Sequence, residues 1–237
     1  AQLLENTPAV IDASALEPVC ALIKEGKLRL RAHHILTPHD GELARCLNLF
    51  AGTNTGEIAG KLADKADKPL GKFASQTSPA LQRRIQGAQQ LAALTGACVL
   101  AKGNRTVVVD AKAQVHTLPA ATPWLATAGS GDVLAGLMGG LLALNVRAGA
   151  GCAGTADAQG QGTTVASAAA LAPEIAQLAA RLHALAGQLA AEATGPKASG
   201  ASEPKPTGAV VAHPITAPEI AAAIPNAWAL CSSAAAN

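Results

Sequence analysis

The chain is poor in charge and poorer in aromatic rings. Of its 237 residues only 14% are charged and 2% aromatic, and tyrosine is absent. An average soluble domain has about 25% charged residues, so a chain kept unfolded by its own charge is excluded. Eighteen basic residues stand against sixteen acidic ones, a net charge of +2. That gives no field to draw in nucleic acid or an anionic membrane, and the scarcity of rings removes a platform for stacking bases. The five cysteines, at 20, 46, 98, 152 and 231, form no CxxC pair and no zinc-ligand spacing. Their odd number and wide scatter suit a reducing cytoplasm, with buried thiols acting as small apolar side chains. No run reaches the ~18 apolar residues of a membrane-crossing helix, and no basic-then-apolar signal segment opens the chain. The first residue is Ala1 rather than methionine, which predicts further sequence upstream.

What the chain does have is apolar bulk and alanine. Hydrophobic residues make up 49%, and alanine supplies about a quarter of the chain. This is enough for a buried core and favours helices with small side chains. Residues 8–12 are a short apolar run ending in Asp12, followed by helical spacing of Leu16, Val19, Leu22 and Ile23. The pattern repeats: Ile35-Leu36 ends at Thr37-Pro-His-Asp-Gly41, and a helix carries Leu43, Cys46, Leu47 and Phe50. Residues 52–76 read as a polar loop with a short helix at most. A helix is predicted over 79–94, stopped by Thr95-Gly96, then β-rich runs at 98–101, 106–110 and 115–118 with hairpin turns between them. A Gly-rich turn at 129–131 opens a helix through Leu144. Residues 148–164 read as a flexible insertion, 165–193 as a long alanine-rich helix broken near Pro173, 195–208 as a loop, and 217–230 as a short closing helix. Alternating strands and helices predict an α/β layered domain with a mostly parallel sheet, a single domain spanning residues 1–237.

The stretch richest in chemistry is Ala126-Thr-Ala-Gly-Ser-Gly-Asp-Val-Leu-Ala-Gly136. Gly129 and Gly131 let the chain turn so that successive N–H groups converge at a helix N-terminus, a cradle for phosphate oxygens. Asp132 then sits in the first turn, where an acid can take the proton of an attacking hydroxyl. The same Ser and Asp also serve as an ordinary helix cap.

This run resembles the signature of the NAD(P)H-hydrate dehydratases, a branch of the ribokinase-like superfamily. Two further blocks lie upstream in the family's order. Leu36-Thr-Pro-His-Asp-Gly-Glu-Leu-Ala-Arg45 resembles L-T-P-H-P-G-E-x-A-R, and Val99-Leu-Ala-Lys-Gly-Asn-Arg-Thr106 resembles V-L-K-G-x-x-T. Weaker likenesses are Ile11-Asp-Ala-Ser-Ala-Leu16 to D-A-D-A-L, His183-Ala-Leu-Ala-Gly187, and residues 220–225.

The resemblance implies a ribokinase-like three-layer αβα sandwich with an antiparallel hairpin edge. It implies repair of hydrated NADH or NADPH at the expense of ADP or ATP, with Mg²⁺, in a cytoplasmic homo-oligomer. It places His39 and Asp132 on the hydrated nucleotide, with Asp132 as the base. Lys102, Gly103, Asn104, Arg105, Thr106 and Gly131 fall on the adenylate of the donor. Lys102 offers a point charge to a phosphate, or is a solvated turn lysine; Thr106 offers a hydroxyl, or is an ordinary strand residue. His39 at a strand end is a ligand contact or a surface turn histidine. Glu42 holds Mg²⁺ through water or steadies the first turn of its helix. His183, on an apolar helix face, reads as a satisfied core or interface histidine, and Asp12 as a loop anchor. Asp40 stands at the family's usual proline, Ser14 at its second aspartate, and Arg105 where glycine is frequent. The family's opening strand–helix units have no counterpart, which predicts an N-terminally incomplete domain. Two other readings stay open: a small-molecule kinase of the same superfamily, and a nucleotide-binding fragment without turnover.

Overall fold

The computed structural model describes residues 2–51, 78–151, 164–193 and 213–234. The expected polar loop at 52–76, the end of the insertion at 152–163 and the loop at 195–208 lie outside these residues. By compactness the chain divides into two units, 1–120 with 135–179, and 121–134 with 180–237.

The first unit is organised by a five-stranded sheet. Helix α1 (Gln2–Asn6) precedes β1 (Ala9–Ile11), a 3-10 turn (Ala13–Ala15) and α2 (Leu16–Lys24); β2 (His34–Leu36) leads into α3 (Asp40–Phe50). Helix α4 (Pro79–Thr95) is followed by β3 (Cys98–Ala101), β4 (Arg105–Val109) and β5 (Val115–Ala120). The strands lie in the order β1-β2-β3-β4-β5. β1, β2 and β3 are parallel, and β4 and β5 add an antiparallel edge, with a register shift between Arg105 and Val107. The parallel strands need helical crossovers and the antiparallel ones only short turns, which is the alternation read from the sequence.

Period-two alternation sorts the sheet's side chains. Ile11, Leu36, Val99, Ala101, Val107 and Val109 form one core with Leu16 and Cys20 of α2, Leu43, Cys46 and Phe50 of α3, and Ile85, Ala88 and Leu91 of α4. Ile35, Cys98, Leu100 and Val108 point to the other face and are also fully buried. Strands apolar on both faces are the mark of a parallel sheet sandwiched in a layered α/β domain. Each buried Leu or Val contributes about 1.5–3 kcal/mol. Cys20, Cys46 and Cys98 are buried free thiols, as expected, whereas Cys231 is exposed.

Helix α4 shows how local chemistry sets element ends. Ser78 Oγ caps it by accepting from Leu81 N at 3.3 Å, and Pro79 occupies the first turn, where no amide partner is lost. Gly96 ends it in the left-handed region at φ +73°, donating to Ala92 O at 2.8 Å.

The later helices are longer than expected. α5 (Ser130–Gly151) runs seven residues past Leu144, into the segment read as a flexible insertion. α6 (Thr164–Glu192) passes through Pro173 without a break. A proline removes one N–H and crowds one carbonyl, yet the helix continues on both sides of it. α7 (Ala217–Ala234) is an 18-residue helix, not a short one. The division between the units falls inside α5 and α6.

In the second unit, Gly187 of α6 lies against Leu125 in the 3-10 turn Pro123–Leu125: an added Cβ would fall 2.5 Å from Leu125 Cδ2. His213 holds the end of α6, its Nε2 2.6 Å from Ala193 O and its N donating to Ala191 O at 3.0 Å.

Candidate functional site

Ligands of open α/β sheets gather beyond the carboxyl ends of the strands. In the first unit those ends carry Asp12 after β1, Thr37 after β2 and Lys102 after β3. Lys102 Nζ is 2.6 Å from Asp12 Oδ1 and 3.7 Å from Glu42 Oε2. Thr37 Oγ1 lies 2.8 Å from Asp12 Oδ1 and 3.1 Å from Ile11 O. Lys102 N donates to Pro38 O at 2.8 Å, continuing the parallel pairing as an isolated bridge between His39 and Lys102. Asp12 is therefore an anchor, as expected. The Lys102 charge is shared between two carboxylates and does not stand as a lone point charge.

His39 is the N-cap of α3. Its Nδ1 accepts from Gly41 N at 3.0 Å and Glu42 N at 3.4 Å, while Glu42 Oε2 accepts from His39 N at 2.8 Å. This reciprocal capping box satisfies the helix start. The His39 side chain is still 55% exposed, with its Nε2 3.6 Å from Glu42 Oε1. Glu42 is buried, and its carboxylate is committed to the cap and to Lys102. It does not fit a direct metal ligand, and among the described residues no cluster of three or more His, Cys, Asp or Glu could hold a metal ion.

The 102–106 loop follows β3. Gly103, Asn104 and Arg105 are exposed, Lys102 and Thr106 half-buried. Asn104 Oδ1 accepts from Arg105 N at 2.8 Å, folding the turn onto itself. Thr106 lies in β4 at the register shift between Arg105 and Val107.

In the second unit, Gly129 adopts φ +82°, and an added Cβ would lie 3.0 Å from Ala217 Cβ. Both the backbone and the neighbouring helix start demand glycine here. Ser130 N donates to Thr127 O at 3.3 Å and Val133 N to Gly129 O at 3.1 Å. Between them, the amides of Gly131 and Asp132 have no acceptor among the described residues. Asp132 itself is exposed, in the first turn of α5. Two unpaired amides at the positive end of a helix, with a free carboxylate beside them, suit an anion that presents a proton to be taken.

Ser130 Oγ lies 3.2 Å from His183 Nε2, both residues being buried. Burial holds the His183 imidazole below its usual range, against the pull of its Ser130 hydrogen bond. His183 is thus a satisfied core histidine, and what it satisfies is the residue beside Gly131. His39, Lys102, Gly103, Asn104, Arg105 and Thr106 come together in the first unit; Gly131 and Asp132 share the turn of the second. Sequence reasoning passed over Arg84, a buried arginine of α4 whose Nη1 donates to Arg105 O at 2.9 Å.

Residues 1–198 match the NAD(P)H-hydrate dehydratase family. A bifunctional NAD(P)H-hydrate repair enzyme of Mycobacterium leprae is 34% identical over 143 residues, covering 60% of this chain and 24% of that protein. An ADP-dependent (S)-NAD(P)H-hydrate dehydratase of Neisseria meningitidis is 34% identical over 147 residues, covering 61% of this chain and 41% of that one. The chain thus spans less than half the length of these curated relatives. Among solved structures, the ADP/ATP-dependent NAD(P)H-hydrate dehydratase of Bacillus subtilis, co-crystallised with ATP/Mg²⁺, superposes with a TM-score of 0.50 at 22% identity, covering 95% of this chain and 57% of that one. The chain shares the fold of that dehydratase. No helix among the described residues is long and apolar enough to cross a membrane.

Proposed function

We propose, since the chain belongs to the NAD(P)H-hydrate dehydratase family, that it forms part of an enzyme restoring hydrated NADH or NADPH at the expense of ADP. The observation that carries this reading is the Gly129–Asp132 turn, with its left-handed glycine, two unpaired amides and exposed carboxylate at the start of a 22-residue helix. Hydroxide is a poor leaving group. Transfer of a phosphoryl group to the ring hydroxyl makes it a good one, and loss of phosphate with a ring proton then regenerates the dihydronicotinamide. Asp132 takes the hydroxyl proton, and the Gly131 and Asp132 amides neutralise charge on the phosphoryl oxygens.

The 102–106 loop contacts the adenylate part of the donor, mainly through its backbone, because the Lys102 ammonium is held by Asp12 and Glu42. His39 contacts the hydrated nucleotide through its exposed side chain. Mg²⁺ arrives on the donor's phosphates, as it does where the ion is held by one or two carboxylates and the substrate. The chain is one part of a dehydratase domain acting in the cytoplasm as a homo-oligomer.

The test is the return of NADH fluorescence from hydrated NADH and Mg²⁺, with ADP or ATP in parallel and Asp132→Asn as control. Donor-dependent recovery lost in the control is the expected result. A stable phosphorylated product would favour a small-molecule kinase. Saturable AMP binding without recovery would favour a nucleotide-binding fragment.

A further inference from the structure

Glu42 and Arg84 are, histidines aside, the buried charged side chains among the described residues. Glu42 is explained by its cap. Arg84 sits on α4 and reaches neither solvent nor a partner on its own helix. Its Nε donates to Asp40 Oδ1 and its Nη2 to Asp40 Oδ2, each at 2.6 Å, a two-pronged pair. Its Nη1 donates to Arg105 O at 2.9 Å. Gly103 lies directly on the guanidinium: a Cβ there would fall 2.3 Å from Arg84 Cζ and within 2.5 Å of both Nη atoms. The Arg84 guanidinium also holds the Asp40 carboxyl below the usual carboxylate range. One rigid planar group therefore spans two turns, with Asp40 of the His39 turn on one edge and the 103–105 backbone on the other.

We propose that Arg84, held by Asp40, is a positioning residue that fixes the 102–106 loop for the adenine nucleotide. This rests on the reading of that loop as the nucleotide contact. The physical case is one of geometry. The tip of the loop, with Gly103, Asn104 and Arg105 exposed, gains no order from burial of its own side chains. The guanidinium gives it a fixed hydrogen-bond donor at Arg105 O and a flat surface under Gly103. Lysine cannot replace it, since a single ammonium on a flexible stem cannot bridge both edges at once. Asp40, whose side chain is 59% exposed, orients the guanidinium from outside the core and can be changed without opening a cavity.

The experiment uses the full 237-residue chain with Asp40→Ala, Arg84→Lys and the double variant. AMP affinity is read by calorimetry, and amide hydrogen exchange is followed at 102–106 against β3 in the free protein. Each single variant is expected to weaken AMP binding by about tenfold, the scale of one charged hydrogen bond. Exchange at 102–106 should accelerate by a similar factor while β3 stays protected. The double variant should be no worse than Arg84→Lys alone, because Asp40 acts through Arg84. Unchanged loop exchange and AMP affinity in both single variants would overturn the proposal. So would acceleration spread equally over β3, which would make the pair a general stabiliser. If the unmodified chain binds no AMP, the nucleotide reading falls, and the exchange rates still decide whether Arg84 holds the loop.

Discussion

Two helices of this chain begin with turns rich in polar residues, and they use their N-termini in opposite ways. At α3 the amides of Gly41 and Glu42 are taken by His39 Nδ1, and Leu43 N reaches His39 O at 2.8 Å. At α5 the amides of Gly131 and Asp132 have no acceptor among the described residues, and the histidine involved, His183, holds the Ser130 hydroxyl instead. The first turn closes on itself; the second spends its side chains on shape and leaves its donors open. A capped N-terminus fixes structure, and an uncapped one offers charge stabilisation without reorganisation.

The sharpest way to break the comparison is Asp132→Asn. The side chain is exposed, so thermal stability should hold, while NADH recovery in the fluorescence assay should fall by about 10²–10⁴-fold, the usual share of a general base. Unchanged turnover would reduce the open turn to a helix start.

Acid gives the next largest effect, on the closed side. His33, just before β2, is buried with no partner for Nε2. Burial, and then the neighbouring His34, push its imidazole down from 6.5 to about 4. Between those values the unfolded chain binds a proton that the folded chain does not. Stability is therefore full above pH 6.5 and falls as pH drops toward about 4, by about 3 kcal/mol. Unfolding free energies from urea titrations near neutrality and near pH 4 should differ less in His33→Leu by that amount; equal differences would remove His33 as the cause.

Ser130→Ala should cost about 2 kcal/mol by leaving the His183 nitrogen buried and unpaired. Calorimetric melting would register this as a drop of about 4–8 °C for a chain of this size. The smallest effect belongs to His39→Ala, which removes the capping box at about 1 kcal/mol. If His39→Ala proves costlier than Ser130→Ala in the same melts, the contrast between a self-sufficient and a supported turn fails.

Much of this was legible because it is local. The strand ends at Ile11, Leu36 and Ala101 follow from short apolar runs, and α4 from Pro79 and the Thr95-Gly96 stop; its Ser78 cap was not read. The turn at 129–132 announced its geometry through its glycines. The charge pairing did not, because it joins residues far apart in the chain. Lys102 and Asp12 are 90 positions apart and Arg84 and Asp40 are 44 apart, and nothing in a helical Gln82-Arg-Arg-Ile85 says which arginine turns inward. Pro173 misled because a proline's cost is local, while the helix around it answers to many turns at once. His183 read correctly as satisfied, but its partner, 53 residues away, was invisible.

The cap at His39 also fixes something about recognition. With Nδ1 occupied as an acceptor of two backbone N–H groups, the neutral ring must carry its proton on Nε2. Nε2 lies 3.6 Å from Glu42 Oε1, so this edge is a donor by construction that already faces one carboxylate oxygen. It suits a further carbonyl or hydroxyl oxygen, and it turns away a group that offers only hydrogens. An aspartate would cap the same helix equally well and present the reverse polarity to whatever approaches, so the choice of imidazole here sets the sense of the hydrogen bond as well as the start of the helix.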